Sequence, residues 1–179
     1  HPILKVVGLK VAEKYFPMAL PRVLAYFASP VNALRRQYGL PEIGSLPEVI
    51  TWGDRTLYPD DPCLVPLSHH DPHRVFLGPI LWSPRAALPA GFEKMGRLRP
   101  LVYATLGSSG DLQALPAVID ALGRLPVDAV VATAGRTRMK TVPANVRVAD
   151  RVPGDLVARR AAVVICNGGA STAYQALAE

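Results

Sequence analysis

The sequence predicts an α/β protein whose second half is built on a parallel sheet, and three observations carry that reading. From Leu101 onward, short apolar runs of strand length (Leu101–Leu106, Val127–Thr133, Asn145–Val148 and Ala161–Cys166) alternate with segments of helical spacing. The runs are apolar without alternation, as in strands covered by helices on both faces. Two of them end in glycine-rich turns, Gly107-Ser108-Ser109-Gly110 and Asn167-Gly168-Gly169, each leading into a predicted helix. Asp111 stands as a cap before Leu112, Leu115, Ile119 and Leu122 at helical spacing, and Ala170–Glu179 reads as the second such helix.

The first half is read from its punctuation. Ile3–Tyr15 and Met18–Tyr38 have helical patterning interrupted by Pro17, Pro21 and Pro30. Ser29-Pro30 reads as a fresh helix start, with Ser29 as N-cap and Pro30 in the first turn, and Gly39 as the stop. Arg55–Tyr58 and Arg74–Leu77 are short strand candidates between proline and aspartate clusters. Ser83–Gly91 lacks an amphipathic period and reads as linker. The expected organisation is therefore a first domain over 1–82, a linker over 83–100 and a second domain over 101–179. A start at His1 rather than Met, and a stop at Glu179 within a predicted helix, lead to the expectation that both domains are incomplete.

Composition bounds the rest. With 179 residues, half of them apolar, 19% charged and a mean hydropathy of +0.20, the chain can bury a core and is not of the disordered class. No apolar run approaches the ~20 residues of a membrane-spanning helix. Two cysteines, Cys63 and Cys166, exclude a disulfide framework or a four-cysteine metal site and point to a cytoplasmic setting. The net charge of +6 is spread along the chain and aromatic content is only 7%, which argues against a nucleic-acid partner. It suits a phosphorylated ligand, peripheral contact with an anionic membrane surface, or a generally basic exterior. His69, His70 and His73, with Asp60, Asp61 and Asp71, lie in a proline-rich stretch without the fixed spacing of a helix face, so no metal site is expected. Trp52 and Trp82 are expected to pack in the core or linker.

In open parallel sheets, ligands bind beyond the carboxyl ends of the strands, where loops enter helix N-termini. Gly107, Ser108, Ser109, Asn167, Gly168, Gly169, Ser171 and Thr172 all fall at such ends. Glycine lets an anion approach the backbone, and the helix N-terminus adds unpaired N–H groups and partial positive charge. These residue types point to a diphosphate; tight βα turns and helix capping by Ser171 or Thr172 are the alternatives. Neither loop is a P-loop or a complete dinucleotide fingerprint, which argues against an NTPase or a nicotinamide enzyme.

The run Val164-Ile165-Cys166-Asn167-Gly168-Gly169-Ala170-Ser171-Thr172-Ala173-Tyr174-Gln175-Ala176-Leu177 resembles the donor-binding signature of the UDP-glycosyltransferase superfamily, especially its bacterial antibiotic- and sterol-modifying members. Leu101–Gly110, Val148–Leu156, Gly78–Trp82 and Pro30–Pro41 resemble further family segments in order. The resemblance implies a GT-B fold of two Rossmann-like domains, the first for the acceptor and the second for the nucleotide sugar. It implies transfer of a sugar from a UDP- or dTDP-linked donor to a hydroxyl of a small-molecule or lipid acceptor, without an organic cofactor or a protein-held metal. A GT-B-type epimerase or a non-catalytic nucleotide-binding fragment are the alternatives.

Departures from the signature are specific. Asn167 replaces a histidine that contacts the diphosphate, and it can donate a hydrogen bond but not become cationic. Gln175 replaces a ribose-gripping glutamate and can both accept and donate there. Arg151 and Gly154 replace a Trp and a Gln near the base, leaving Arg151 and the backbone at Val152 to meet the nucleoside. The family's base is a histidine early in the first domain; no residue of this chain matches it, so no catalytic residue is assigned.

Overall fold

The computed structural model describes residues 9–67, 71–139 and 141–179, so the predicted helical residues Ile3–Gly8 and two of the histidines, His69 and His70, lie outside it. The chain divides into two compact units, one comprising His1–Tyr58 and Leu67–Phe76, the other Pro59–Pro66 and Leu77–Glu179.

The first unit is led by one continuous helix, α1 (Leu9–Gln37), with Pro17, Pro21 and Pro30 inside it. The expected break and the helix start at Ser29-Pro30 are therefore corrected. Proline lacks the N–H that would bond the carbonyl four residues back, which for Pro30 is that of Tyr26. The Ser29 hydroxyl fills that role, donating to Tyr26 O at 2.7 Å. Ser29 is thus a mid-helix repair rather than an N-cap. Gly39 stops the helix as expected: its φ is 65°, its N–H donates to Arg36 O, and Leu40 N–H reaches Arg35 O, a Schellman closure. Asn32, buried on α1, exchanges two hydrogen bonds with the Ile43 backbone, Nδ2 to O at 2.8 Å and N to Oδ1 at 2.9 Å. A short helix follows, α2 (Leu46–Ile50), where Glu48 accepts from Gly44 N and the Ser45 hydroxyl. Its Ser-x-x-Glu pattern is a legible capping signal that the sequence reading passed over. The two strand candidates form β1 (Thr56–Tyr58) and β2 (Arg74–Phe76), paired in parallel with Tyr58 against Phe76. Trp52 is 58% exposed, under the Arg35 guanidinium at 4.5 Å, which corrects its expected core placement.

The second unit holds a four-stranded parallel sheet of β3 (Leu101–Thr105), β4 (Asp128–Ala132), β5 (Val146–Ala149) and β6 (Val163–Cys166), in the order β5-β4-β3-β6. All five residues of β3 are buried. Leu101, Tyr103, Val130 and Ala132 pack on one face, with Val152 and with Val157 and Ala158 of α4 (Gly154–Ala158). Val102, Ala104, Ala129 and Val131 pack on the other, against Leu115, Ile119 and Leu122 of α3 (Leu115–Arg124). Burial on both faces explains why these strands read as unbroken apolar runs. The last helix, α5 (Ala170–Ala178), follows β6.

The stretch expected to be linker is drawn into this unit. Phe92 and Met95, around a single 3-10 turn, are 4% and 8% exposed in the core. Arg160 donates to the carbonyls of Phe92 and Met95 and lies 4.5 Å over the Phe92 ring. A residue pattern without helical or strand period still buries two side chains here, because a cation clamps the turn.

Candidate functional site

The strand order creates the site. The chain steps outward from β3 to β4 and β5, then returns to place β6 on the opposite side of β3, so β3 and β6 flank a topological switch point. Their registers match to the last residue, Thr105 against Cys166, and the two glycine loops leave the sheet side by side.

The first loop is tightly fixed. Gly107 has φ 61°, and its N–H donates to Thr105 Oγ1 at 3.2 Å. Gly110 N–H closes on Leu106 O at 2.9 Å. A Cβ on Gly110 would lie 2.2 Å from that oxygen, so only glycine fits. Asp111 caps the following turn as expected, its Oδ1 accepting from Gln113 N at 2.9 Å. The N–H groups of Ser108 and Ser109 find no acceptor among the described residues.

The second loop turns through Gly168 at φ 76° and delivers α5. Asn167 Oδ1 accepts from Gly169 N at 3.4 Å, and its Nδ2 reaches across to Ser109 Oγ at 3.5 Å, a long contact that bridges the loops. Gly169 is the N-cap of α5 and supplies no side-chain cap. Neither Ser171 nor Thr172 caps the helix, which leaves their hydroxyls and the first N–H groups of α5 available.

A cavity of about 340 Å³ opens over these ends. It brings together Gly107, Ser108, Arg151, Val152, Ser171, Thr172 and Gln175 from the sequence prediction. Ser109, Asn167, Gly168 and Gly169 do not line it. The cavity also gathers Gly154, expected near the base, and Trp82, Tyr103, Thr105, Ala134 and Asp150, which sequence reasoning missed. Trp82 is 68% exposed at this rim rather than packed away, a second correction to the tryptophan assignment. A hollow of about 510 Å³ lies elsewhere, at Leu88–Glu93 with Leu156, Arg159 and Arg160, but its cations are occupied: Arg159 by Glu179 and Arg160 by the Phe92 and Met95 carbonyls.

Gln175 lines the cavity and also has partners inside the protein. Buried at 7% exposure, it directs its amide N–H groups to the Trp82 carbonyl and to Ser83 Oγ (2.9 Å). Its Nε2 donors are thereby used inside the protein, and only the Oε1 acceptor is left for a ligand. Oε1 sits where a Gly154 side chain would begin, 2.6 Å from that Cβ position. Ser83 Oγ also accepts from Asp155 N at 3.0 Å. The Ser83 hydroxyl, and then the Leu156 backbone N–H, hold the Asp155 carboxyl below its ordinary value. Beside Gln175, Tyr174 donates to Asp60 Oδ1 at 3.0 Å and accepts from Asp61 N at 3.1 Å. Burial pushes the Tyr103 phenol upward, against a smaller lowering by Thr105, so it faces the cavity protonated. Val152 is 2% exposed and Arg151 is exposed. Among the described residues no three His, Cys, Asp or Glu side chains converge as metal ligands would.

No protein-family model matches the chain. It is 44% identical over 178 residues to a PGL/p-HBAD biosynthesis glycosyltransferase of Mycobacterium tuberculosis (strain H37Ra), covering 99% of this chain and 42% of that protein. It is 43% identical over 174 residues to a PGL/p-HBAD biosynthesis rhamnosyltransferase of Mycobacterium bovis (strain BCG), covering 97% of this chain and 39% of the relative. A further M. bovis relative, 38% identical over 110 residues (61% of this chain and 30% of that protein), is named an inactive PGL/p-HBAD biosynthesis glycosyltransferase. The chain thus spans about two fifths of the length of the two relatives it matches nearly end to end. Among solved structures, the glycotransferase of kitacinnamycin aligns with a TM-score of 0.63 at 21% identity over 96% of this chain and 47% of that one. Spinosyn forosaminyltransferase SpnP aligns with a TM-score of 0.60 at 20% identity over 84% and 39%. The structural likenesses show the GT-B fold, and the sequence identities make the chain similar to named glycosyltransferases along about two fifths of their length.

Proposed function

We propose that the protein to which this chain contributes transfers a sugar from a nucleoside-diphosphate donor to an acceptor hydroxyl, and that the cavity between β3 and β6 holds the donor's diphosphate. One observation carries the reading: at adjacent strand ends, Gly107 and Ser108 of the first glycine loop and Ser171 and Thr172 in the first turn of α5 line a single cavity with unpaired N–H groups and free hydroxyls. Charge accumulates on the diphosphate as the glycosidic bond breaks. Preorganised donors aimed at that charge lower the barrier. In this assignment the Ser108 N–H group, the first turn of α5 and the Ser171 and Thr172 hydroxyls meet the phosphates. Arg151, Trp82 and the Val152 backbone meet the nucleoside, and Gln175 Oε1 accepts from one sugar hydroxyl. The relatives' names support a glycosyl or rhamnosyl transfer in PGL/p-HBAD biosynthesis as the specific reaction. A cytoplasmic location with peripheral contact at an anionic membrane surface is the companion reading. The net charge of +6 supports it, and no helix among the described residues is long and apolar enough to cross a membrane.

Calorimetric titration of the chain with UDP, dTDP and uridine tests the donor site. Either diphosphate is expected to bind at least about tenfold more tightly than uridine, as charge-assisted hydrogen bonds imply. A folded circular dichroism spectrum with no diphosphate binding at millimolar concentration defeats the assignment. Glycosyl transfer itself is assayed on the parent protein with UDP- and dTDP-linked sugars.

A further inference from the structure

At the carboxyl end of β4 the chain reverses through Thr133-Ala134-Gly135-Arg136. Arg136 N–H donates to Thr133 O at 3.1 Å, and both central residues are left-handed, Ala134 at φ 55° and Gly135 at φ 72°. This is a type I′ turn, which favours glycine or asparagine at each centre. Ala134, whose Cβ makes the conformation unfavourable, is the one non-glycine residue with positive φ among those described. Thr133 anchors the turn, being 2% exposed with its hydroxyl 3.4 Å from Asp150 Oδ1.

The strained turn delivers a cation to the first glycine loop. Arg136 Nη1 donates to Gly110 O at 2.8 Å and to Gly107 O at 3.3 Å. In a trans peptide the C=O and N–H of one unit point in opposite directions, and the described chain has no cis bond. The Gly107 carbonyl and the Ser108 N–H share such a unit. Pinning the carbonyl toward Arg136 therefore turns the Ser108 N–H away from it. Released, the Gly107–Ser108 peptide could rotate and present a carbonyl dipole to an anion. Ala134 lines the cavity and Arg136 does not, so the guanidinium works from behind the loop.

We propose that Arg136 is a positioning residue for the diphosphate: it fixes the glycine loop with its N–H groups outward and supplies a permanent positive charge that neutral Asn167 does not. The inference rests on the donor-site reading above. Its test compares Arg136→Ala and Arg136→Lys with the unaltered chain, measuring UDP affinity by calorimetry and uridine affinity by competition against UDP. Arg136→Ala is expected to weaken UDP about tenfold while leaving uridine unchanged, as loss of a charge-assisted brace implies. Arg136→Lys, which keeps the charge but lacks the planar fork, is expected to weaken UDP about threefold. A merely structural residue would lower both affinities together, or the melting temperature alone. An unchanged UDP-to-uridine ratio in a folded Arg136→Ala chain overturns the proposal, and if that variant does not fold, an unchanged ratio in Arg136→Lys does so. If the unaltered chain itself fails to prefer UDP over uridine, the donor-site reading falls, and this inference with it.

Discussion

The two glycine loops do the same topological job by different means. Gly107–Gly110 is braced directly, by Thr105 and its own Leu106 carbonyl within a few residues and by the Arg136 side chain from 26 residues on. Asn167–Gly169 has the long contacts of one asparagine and the first helical bond of α5, from Ala173 N–H to Gly169 O, and further anchorage comes a turn later, where Tyr174 and Gln175 tie α5 to Asp60–Asp61 and to Trp82–Ser83. One loop is a prebuilt template, and the other is a hinge held at its far end. The lesson is that a binding surface can be rigid through local closure or through remote anchorage, and each fails under a different substitution.

The largest effect is expected at Gly110. Gly110→Ala puts a methyl 2.2 Å from the Leu106 carbonyl oxygen and 2.7 Å from its Cβ, atoms that cannot swing aside. Overpacking of this kind costs about 1–3 kcal/mol, and chemical denaturation of the variant should show a loss at the upper end of that range. A loss below that range would mean the template loop is softer than its hydrogen bonds imply.

Next comes Gln175→Glu, which attacks the remote anchor. A carboxylate cannot donate to the Trp82 carbonyl, and leaving buried groups unpaired costs about 1–3 kcal/mol. The sign with pH is fixed: burial beside a carbonyl raises the folded-state pKa of the new acid above its unfolded value near 4.3. The deficit relative to the native chain should therefore be smallest near pH 4, where the acid is protonated and can donate, and grow as pH rises through the folded pKa. Melting curves at pH 4 and pH 8 measure it; a deficit that shrinks with rising pH would contradict the anchor.

Smaller still is the effect of Ser171→Ala or Thr172→Ala. Because neither hydroxyl caps α5, stability should stay within about 0.5 kcal/mol of the native value. Diphosphate affinity should fall by about 1 kcal/mol for each, read by calorimetry. Loss of stability with unchanged affinity would instead assign them to the helix. The smallest change is expected for Asn167→Ala, whose contacts at 3.4 and 3.5 Å lie at the weak end of hydrogen bonding, with an affinity loss of about 0.5 kcal/mol.

What the sequence disclosed follows from how local each signal is. The strands of the second unit and the ends of its loops were legible because burial on both faces leaves unbroken apolar runs, and Gly107, Gly110 and Asp111 mark the turn chemistry in place. Tyr103, Thr105 and Ala134 escaped as site residues because they read as strand or turn. Only in the folded chain, where all three line the cavity beside Gly107 and Ser171, are they seen to reach it. Gln175 was placed near the ligand, but its partners Trp82 and Ser83 lie more than 90 residues away and leave no local trace. In the first unit Pro30 was misleading because the Ser29 hydroxyl restores the bond that it removes, a repair that propensity does not anticipate.

The strand order β5-β4-β3-β6 also has a temporal meaning. During synthesis β3 meets β4 within about 30 residues, but it waits some 60 residues for β6. Contacts so distant along the chain form late, because more chain entropy must be surrendered to close them. The cleft beside the glycine loops therefore cannot exist until β6 docks against β3. On the donor-site reading, a nucleotide bound there would act as a thermodynamic latch on the β3–β6 pairing, stabilising that contact in proportion to its occupancy.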